Sequence, residues 1–227
     1  MTTTEPSKRP KLIILDFDGT LGDTQSIIVR TMHQTLQELN LPDCTDQQCA
    51  STIGLPLKQC YTTLMPMTDE MGDRCAEVYT RIFFQNNRPG AVPPFPHVIE
   101  TLEELHRQGH TLTIASSRGR DTLLDFVKSM GLSEIITYIL SANDTTLAKP
   151  HPEPVLKTLE HFSCPPEDCL VVGDMTYDIL RGRRAGAKTC GVTYGNGTPA
   201  DLIQAGADFL IDDFGQLPGI PHLIKPT

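Results

Sequence analysis

The feature that most constrains this chain is a series of six short apolar runs, rich in β-branched residues, most of which end at a small or acidic residue. The runs are Lys11–Asp16, Thr111–Ser116, Thr137–Ala142, Cys169–Asp174, Thr189–Thr193 and Phe209–Ile211. Runs with so little internal polarity are typical of strands that are buried on both faces. Helical patterns lie between them, and this alternation predicts an α/β fold with a parallel, doubly wound sheet.

One interval is too long for this alternation. The distance along the chain from Asp16 to Thr111 far exceeds the roughly thirty residues that a βα repeat needs. Two apolar stripes at helical spacing occupy it, namely Ile28, Met32, Leu36 and Leu39, and then Met71, Cys75, Val78 and Ile82. The pattern therefore predicts an all-helical subdomain at residues 24–90, inserted into an α/β core of residues 11–23 and 91–227. Residues 1–10 are polar and are predicted to be a flexible N-terminus.

Acidic side chains follow two of the predicted strands at their carboxyl ends. Asp16 and Asp18 end the first strand, Asp174 ends the fourth, and Asp178 follows four residues later. In a parallel sheet these ends lie at the same edge, where ligands bind in such folds. Three or four carboxylates that converge on one cavity suit Mg²⁺, which prefers hard oxygen ligands. By itself, the first segment fits an ordinary Asp-Gly turn equally well.

Two further polar positions accompany these carboxylates. Ser116 and Ser117 follow the second predicted strand, and Lys149 precedes Pro150 in a loop before a helix. Taken singly, the serines are typical loop hydrogen-bonding residues, and the lysine is typical of a solvent-exposed loop charge.

Together, the four motifs resemble those of the haloacid dehalogenase superfamily of phosphohydrolases. The matching segments are DFDGTL at Asp16–Leu21, the hydroxyl of Ser116, the Lys-Pro pair at Lys149, and GDxxxD with Asp174 and Asp178. The inserted helical segment resembles that family's cap, and the resemblance implies a Rossmann-like core. The KPxP loop and the DGTL-x-DT opening are similar to the phosphoglycolate phosphatase-like branch. Ser-Ser-Arg at residues 116–118 departs from the Thr-Asn-Lys that is common in that branch.

The resemblance implies roles for individual residues. Asp16 is expected to attack phosphorus and form an aspartyl-phosphate, and Asp18 is expected to act as general acid and base. Ser116 and Lys149 are expected to hold the phosphoryl oxygens. The expected Mg²⁺ ligands are Asp16, Asp18 through its backbone carbonyl, Asp174 and Asp178.

The expected substrate-binding positions are Phe17, Gly19, Ser117, Arg118 and Lys58. Phe17 and Ser117 would contribute backbone N–H groups to the phosphate. Lys58, in the inserted segment, could bind a second anionic group of the substrate, and Arg118 could reach the same group. An exposed helix lysine is the commoner explanation of Lys58.

Two further segments are weaker candidates for the site. The cluster of Arg181, Arg183 and Arg184 is predicted to lie on a solvated helix face. Tyr194–Gly197 reads as a turn and not as a phosphate loop, because no GxxxxGK or GxGxxG pattern accompanies it.

The resemblance implies a Mg²⁺-dependent phosphatase that acts on a small phosphorylated metabolite, with phosphoglycolate as the expected substrate. A sugar phosphomutase of the β-phosphoglucomutase type shares the motifs, and a pyrophosphatase or nucleotidase of the same superfamily is a further alternative. The intact carboxylate set argues against a non-catalytic binding module.

Composition excludes other classes of partner. A formal charge of −9 argues against a broad nucleic-acid-binding surface. No apolar run reaches the ~18 residues of a membrane-spanning helix, so no membrane partner is expected. Seven scattered cysteines without a CxxC pair are typical of reduced thiols. We expect a cytoplasmic protein that is a monomer or a homodimer.

Overall fold

The computed structural model describes residues 11–88 and 90–223. Within these residues six strands form one parallel sheet in the order β3-β2-β1-β4-β5-β6. The strands are β1 (Leu12–Leu15), β2 (Thr111–Ala115), β3 (Ile136–Leu140), β4 (Cys169–Gly173), β5 (Lys188–Val192) and β6 (Phe209–Ile211). They agree closely with the six apolar runs, and the predicted α/β class is confirmed. The flexible segment predicted at residues 1–10 lies outside the described residues.

Strand β1 lies at the centre of the sheet, between β2 and β4. Its last residue, Leu15, is in register with Ile114 of β2 and with Val172 of β4. All the residues of β1 and β4 are buried, as their uniformly apolar sequences predict. Because the three strands are parallel and in register, the residues that follow them lie side by side at one edge of the sheet.

The inserted segment is helical, as predicted. Its helices are α1 (Gln25–Glu38), α2 (Asp46–Ala50), α3 (Leu57–Leu64) and α4 (Asp69–Asn86). Thr68 caps α4 by accepting a hydrogen bond from the backbone N–H of Met71. Helix α1 packs against α4, and most residues of the two predicted apolar stripes are buried. The two chain segments that connect the inserted helices to the core run side by side, since Gly22 of the first forms a β-bridge with Pro94 of the second.

Five longer helices complete the core and alternate with the strands. They are α5 (Val98–Arg107), α6 (Arg120–Ser129), α7 (Glu153–His161), α8 (Thr176–Arg184) and α9 (Pro199–Ala205). Side chains of β1 alternate between the faces of the sheet: Ile13 and Leu15 share a cluster with α5 and α6, whereas Leu12 and Ile14 pack with α7. No helix in the described part of the chain is both long and apolar enough to cross a membrane.

Candidate active site

Three of the predicted carboxylates meet where β1 and β4 end. Asp16 follows β1, Asp174 follows β4, and Asp178 lies in the first turn of α8. Each is almost fully buried, and one carboxylate oxygen from each lies within 4.8 Å of the others. The adjacency of β1 and β4 therefore turns positions far apart in the sequence into one acidic cluster.

Two buried cations contact this cluster. The ammonium of Lys149 lies 2.6 Å from Asp16 Oδ1 and 2.8 Å from Asp178 Oδ1, and its side chain is only 2% exposed. The guanidinium of Arg181 lies 3.0 Å from Asp178 Oδ1 and donates a 2.8 Å hydrogen bond to the carbonyl of Ala115 at the end of β2. Arg181 is fully buried, so the prediction that it lies on a solvated helix face is wrong. Its attraction to Asp178, three residues earlier on the same helix, draws it inward.

The electrostatics of the cluster favour a further positive charge. Burial, together with the charge of Asp178, raises the pKa of Asp16 to about 6, although Lys149 and Arg181 act in the opposite direction. Burial and the charges of Asp178 and Asp16 raise the pKa of Asp174 to about 7. Three carboxylates are thus opposed by two cations among the described residues, and Asp16 Oδ2 is buried there without a hydrogen bond. The cluster fits a divalent cation, which would neutralise the excess negative charge and use this oxygen as a ligand.

A loop after β5 holds Asp174 in place. The backbone N–H and the side-chain amide of Asn196 both donate to Asp174 Oδ2, at 2.7 and 2.8 Å, and the Thr20 hydroxyl donates to Oδ1 at 3.3 Å. Gly19 has a φ of +76°, and a Cβ there would come within 2.1 Å of Asp174 Oδ2. A Cβ on Gly195 would lie 2.4 Å from the Gly19 carbonyl oxygen. The segment that the sequence indicated as a simple turn therefore packs directly on the site.

Asp18 is not part of the three-carboxylate cluster. Both of its carboxylate oxygens accept 3.2 Å hydrogen bonds from Arg118 Nε, and Nη2 of Arg118 contacts the same carboxylate. The guanidinium also lies 4.9 Å from the ring centre of Phe83 on α4 and 5.1 Å from that of Phe126 on α6. Arg118 thus bridges the inserted segment and the core, and its charge is already engaged by Asp18.

The two serines after β2 face different neighbours. Ser116 lines a small cavity of about 190 Å³ together with Lys149 and Arg181, and the contact of its hydroxyl with phosphoryl oxygens stays a prediction. The Ser117 hydroxyl instead donates a 2.6 Å hydrogen bond to the carbonyl of Gly54, in the loop between α2 and α3. Ser117 therefore joins the core to the inserted segment.

The remaining predicted positions differ in where they lie. Phe17 is fully buried, and its carbonyl accepts hydrogen bonds from Leu21 and Gly22, which closes a tight loop beside the cluster. The structure does not bring Lys58 to this site. Its ammonium lies 2.6 Å from Asp69 and 3.0 Å from Asp73, both on α4.

A larger cavity of about 500 Å³ opens beside Asp18 and Arg118, between the inserted helices and the core. Its apolar lining residues are Ile28, Met32, Ile53, Leu55, Leu57, Cys60, Tyr79, Phe83 and Phe84. Lys58 is not among the residues that line it. The small cavity thus contains the basic side chains of Lys149 and Arg181, whereas the larger one combines the Asp18–Arg118 pair with apolar side chains of the inserted segment.

Known proteins match the chain along most of its length. The family model of haloacid dehalogenase-like hydrolases matches residues 13–192. The chain is 32% identical over 218 residues to a Dickeya dadantii protein named probable phosphatase IndB, and the aligned region covers 94% of each chain. It is 31% identical over 205 residues to the pyrophosphatase PpaX of Anoxybacillus flavithermus, and the aligned region covers 90% of this chain and 94% of the relative.

A solved structure extends the match to the fold. The chain superposes with a TM-score of 0.87 on a haloacid dehalogenase-like hydrolase of Bacteroides fragilis, at 28% identity, over 92% of this chain and 100% of the other. The family match spans both strands that carry the carboxylates. The chain therefore belongs to the haloacid dehalogenase-like hydrolases, and the predictions of this superfamily and of an enzyme of its phosphatase type are confirmed.

Proposed function

We propose that the chain is a Mg²⁺-dependent phosphatase that hydrolyses a phosphate monoester through an aspartyl-phosphate on Asp16. The observation that carries this proposal is the environment of the Asp16 carboxylate. One oxygen is paired with Lys149, the other has no hydrogen bond among the described residues, and both lie at the strand end beside Asp174 and Asp178. A carboxylate held in this way is positioned to act as a nucleophile.

Asp16, Asp174 and Asp178 would hold the metal through carboxylate oxygens, and the sequence prediction adds the backbone carbonyl of Asp18. When bound, Mg²⁺ polarises a phosphoryl oxygen and offsets the repulsion between an anionic nucleophile and an anionic substrate. Lys149 and Ser116, which share the small cavity, would contact the other phosphoryl oxygens and stabilise the charge that develops on them.

The reaction has two steps. In the first, an oxygen of Asp16 bonds to phosphorus while the bond from phosphorus to the alcohol oxygen breaks, and Asp18 gives its proton to that oxygen. In the second, a water molecule attacks the phosphoryl group, Asp18 takes a proton from this water, and the bond between phosphorus and Asp16 breaks.

The inserted helices are proposed to be the cap of this enzyme, with residues 24–90 covering a core of residues 11–23 and 91–227. The position of Asp18 supports this arrangement, because it lies in the wall of the large cavity between the two parts. That cavity is therefore the proposed site of the leaving group. Phosphoglycolate, suggested by the motifs, and pyrophosphate, suggested by the name of one relative, are the first two substrates to compare.

The test is the release of inorganic phosphate from p-nitrophenyl phosphate by the wild-type chain and by Asp16→Asn. The amide is a poor nucleophile, so the rate is expected to fall by at least about a thousandfold, and phosphoenzyme is expected only in the wild type. Asp23→Asn is the matched control, because Asp23 lies in the same segment but is exposed.

Removal of metal is the second arm of this test. EDTA is expected to abolish phosphate release, and added Mg²⁺ to restore it. An Asp16→Asn variant that retains a tenth of the wild-type rate would exclude covalent catalysis by Asp16, and full activity in EDTA would exclude the metal.

A further inference from the structure

The walls of the large cavity are mostly apolar. Ile28 and Met32 come from α1, Leu55 from the loop before α3, and Phe83 from α4. Phe84 also lines the cavity and is 53% exposed. Apolar cavities of this kind bind the apolar part of a small molecule, while a few polar groups orient it.

The basic side chains in or beside this cavity already have carboxylate partners within the described part of the chain. Arg118 is paired with Asp18, and Arg120 lies 2.9 Å from Asp144. Lys58, next to the cavity residue Leu57, is held by two aspartates of α4. A second anionic group of a substrate would therefore lose its water without gaining a counter-charge, which is unfavourable.

We infer that the substrate's leaving group is apolar, so that the enzyme prefers phosphate esters of hydrophobic alcohols to phosphoglycolate or pyrophosphate. This inference rests on the proposed phosphatase function. The size of the cavity agrees with it: about 500 Å³ falls in the range of roughly 300–1,000 Å³ that is typical of small-molecule sites. The two-carbon glycolyl group would leave most of this space unfilled.

The first test compares kcat/KM for phosphate release from ethyl, butyl and hexyl phosphate, from phosphoglycolate and from pyrophosphate. Burial of each added methylene is expected to raise kcat/KM by up to about fourfold. We expect kcat/KM to rise at least about tenfold from ethyl to hexyl phosphate. We also expect a higher kcat/KM for hexyl phosphate than for phosphoglycolate or pyrophosphate, each of which carries a second anionic group. A flat alkyl series, or a preference for phosphoglycolate or pyrophosphate over hexyl phosphate, overturns the inference.

The second test locates the apolar group. Phe84→Gln places a polar side chain in the cavity wall at an exposed helical position, and Ile203→Gln makes the same kind of change on α9, at a residue that is 62% exposed and away from the cavity. We expect the ratio of kcat/KM for hexyl and ethyl phosphate to fall at least about fivefold in Phe84→Gln and to stay unchanged in Ile203→Gln. An unchanged ratio in Phe84→Gln overturns the placement of the leaving group in this cavity.

The inference and the proposed function fail in different ways. If only the inference is wrong, phosphate is released and the release is lost in Asp16→Asn, but the alkyl series shows no preference. If the proposed function is wrong, none of the substrates releases phosphate in a manner that depends on Asp16, and that result overturns both.

Discussion

Replacing Asn196 with alanine removes the side-chain amide that donates to Asp174 Oδ2 at 2.8 Å. The backbone N–H of the same residue, at 2.7 Å from the same oxygen, remains. The substitution therefore removes one of the two hydrogen bonds to Oδ2 of this fully buried carboxylate, and the Thr20 hydroxyl still donates to Oδ1. Because Asp174 is a proposed metal ligand, we expect the Asn196→Ala substitution to weaken the binding of the metal.

The magnitude follows from the charge of the acceptor. A hydrogen bond to an ionised group contributes about 1.5–3 kcal/mol, which corresponds to a loss of roughly 10- to 150-fold in affinity for a divalent cation. The loss of a residue that orients a metal ligand typically has an effect of about 10- to 100-fold. The amide also lowers the pKa of Asp174, which burial raises to about 7. Without the amide, protons compete more strongly with the metal at neutral pH.

The assay is the binding of Mn²⁺, followed by electron paramagnetic resonance, together with the Mg²⁺ concentration that half-activates phosphate release. Asn86→Ala is the matched control, because the Asn86 amide also donates two hydrogen bonds, to Thr31 and Gln34, but within the inserted helices. We expect weaker metal binding only in Asn196→Ala. A change of less than about threefold, or an equal loss in both variants, would refute the role assigned to Asn196.

Two further predictions concern charged pairs. Arg118→Met leaves the carboxylate of Asp18 buried without its partner, and we expect the free energy of unfolding in urea to fall by about 3 kcal/mol. Adding Asp18→Asn should restore part of that loss, whereas strictly additive losses would contradict direct coupling. His33 lies 2.7 Å from Asp43 and 2.8 Å from Asp46, and these bonds raise its pKa above 6.5. The stabilisation by these bonds is complete below the ordinary pKa of histidine and is lost as the pH rises through the raised pKa of His33. We therefore expect His33→Gln to lower Tm more at pH 6 than at pH 9. Equal decreases in Tm at the two pH values would contradict this reasoning.

The strands and the acidic cluster could be predicted because their signals are local. Each strand is a short apolar run, and each carboxylate of the cluster follows a strand or lies in the first turn of the next helix. Parallel pairing then places these positions at one edge of the sheet. Lys149 is different, because the residues around it are typical of an exposed loop, and only the resemblance to a family indicated a role in the site.

Arg181 and Asn196 escaped prediction for different reasons. Arg181 was grouped with two neighbouring arginines, although only Arg181 is three residues from Asp178 and reaches the end of β2. Asn196 lies in a loop after β5, and its role depends on the β4–β5 pairing, which brings that loop beside Asp174. The useful signals were the spacing of opposite charges on one helix and the position of a glycine-rich loop at the carboxyl edge of the sheet.

Lys58 shows why the specificity of such an enzyme is harder to predict than its catalytic site. Asp69 and Asp73 are four residues apart on α4, so their carboxylates lie on the same face of that helix, and both contact the Lys58 ammonium. Only basic side chains that such pairings within the inserted segment leave without a partner are available to bind an anionic group of a substrate. These pairings depend on how α3 and α4 pack, which no motif records. Because the nearby cations are already paired beside this cavity, we expect its apolar wall to decide which leaving group is bound.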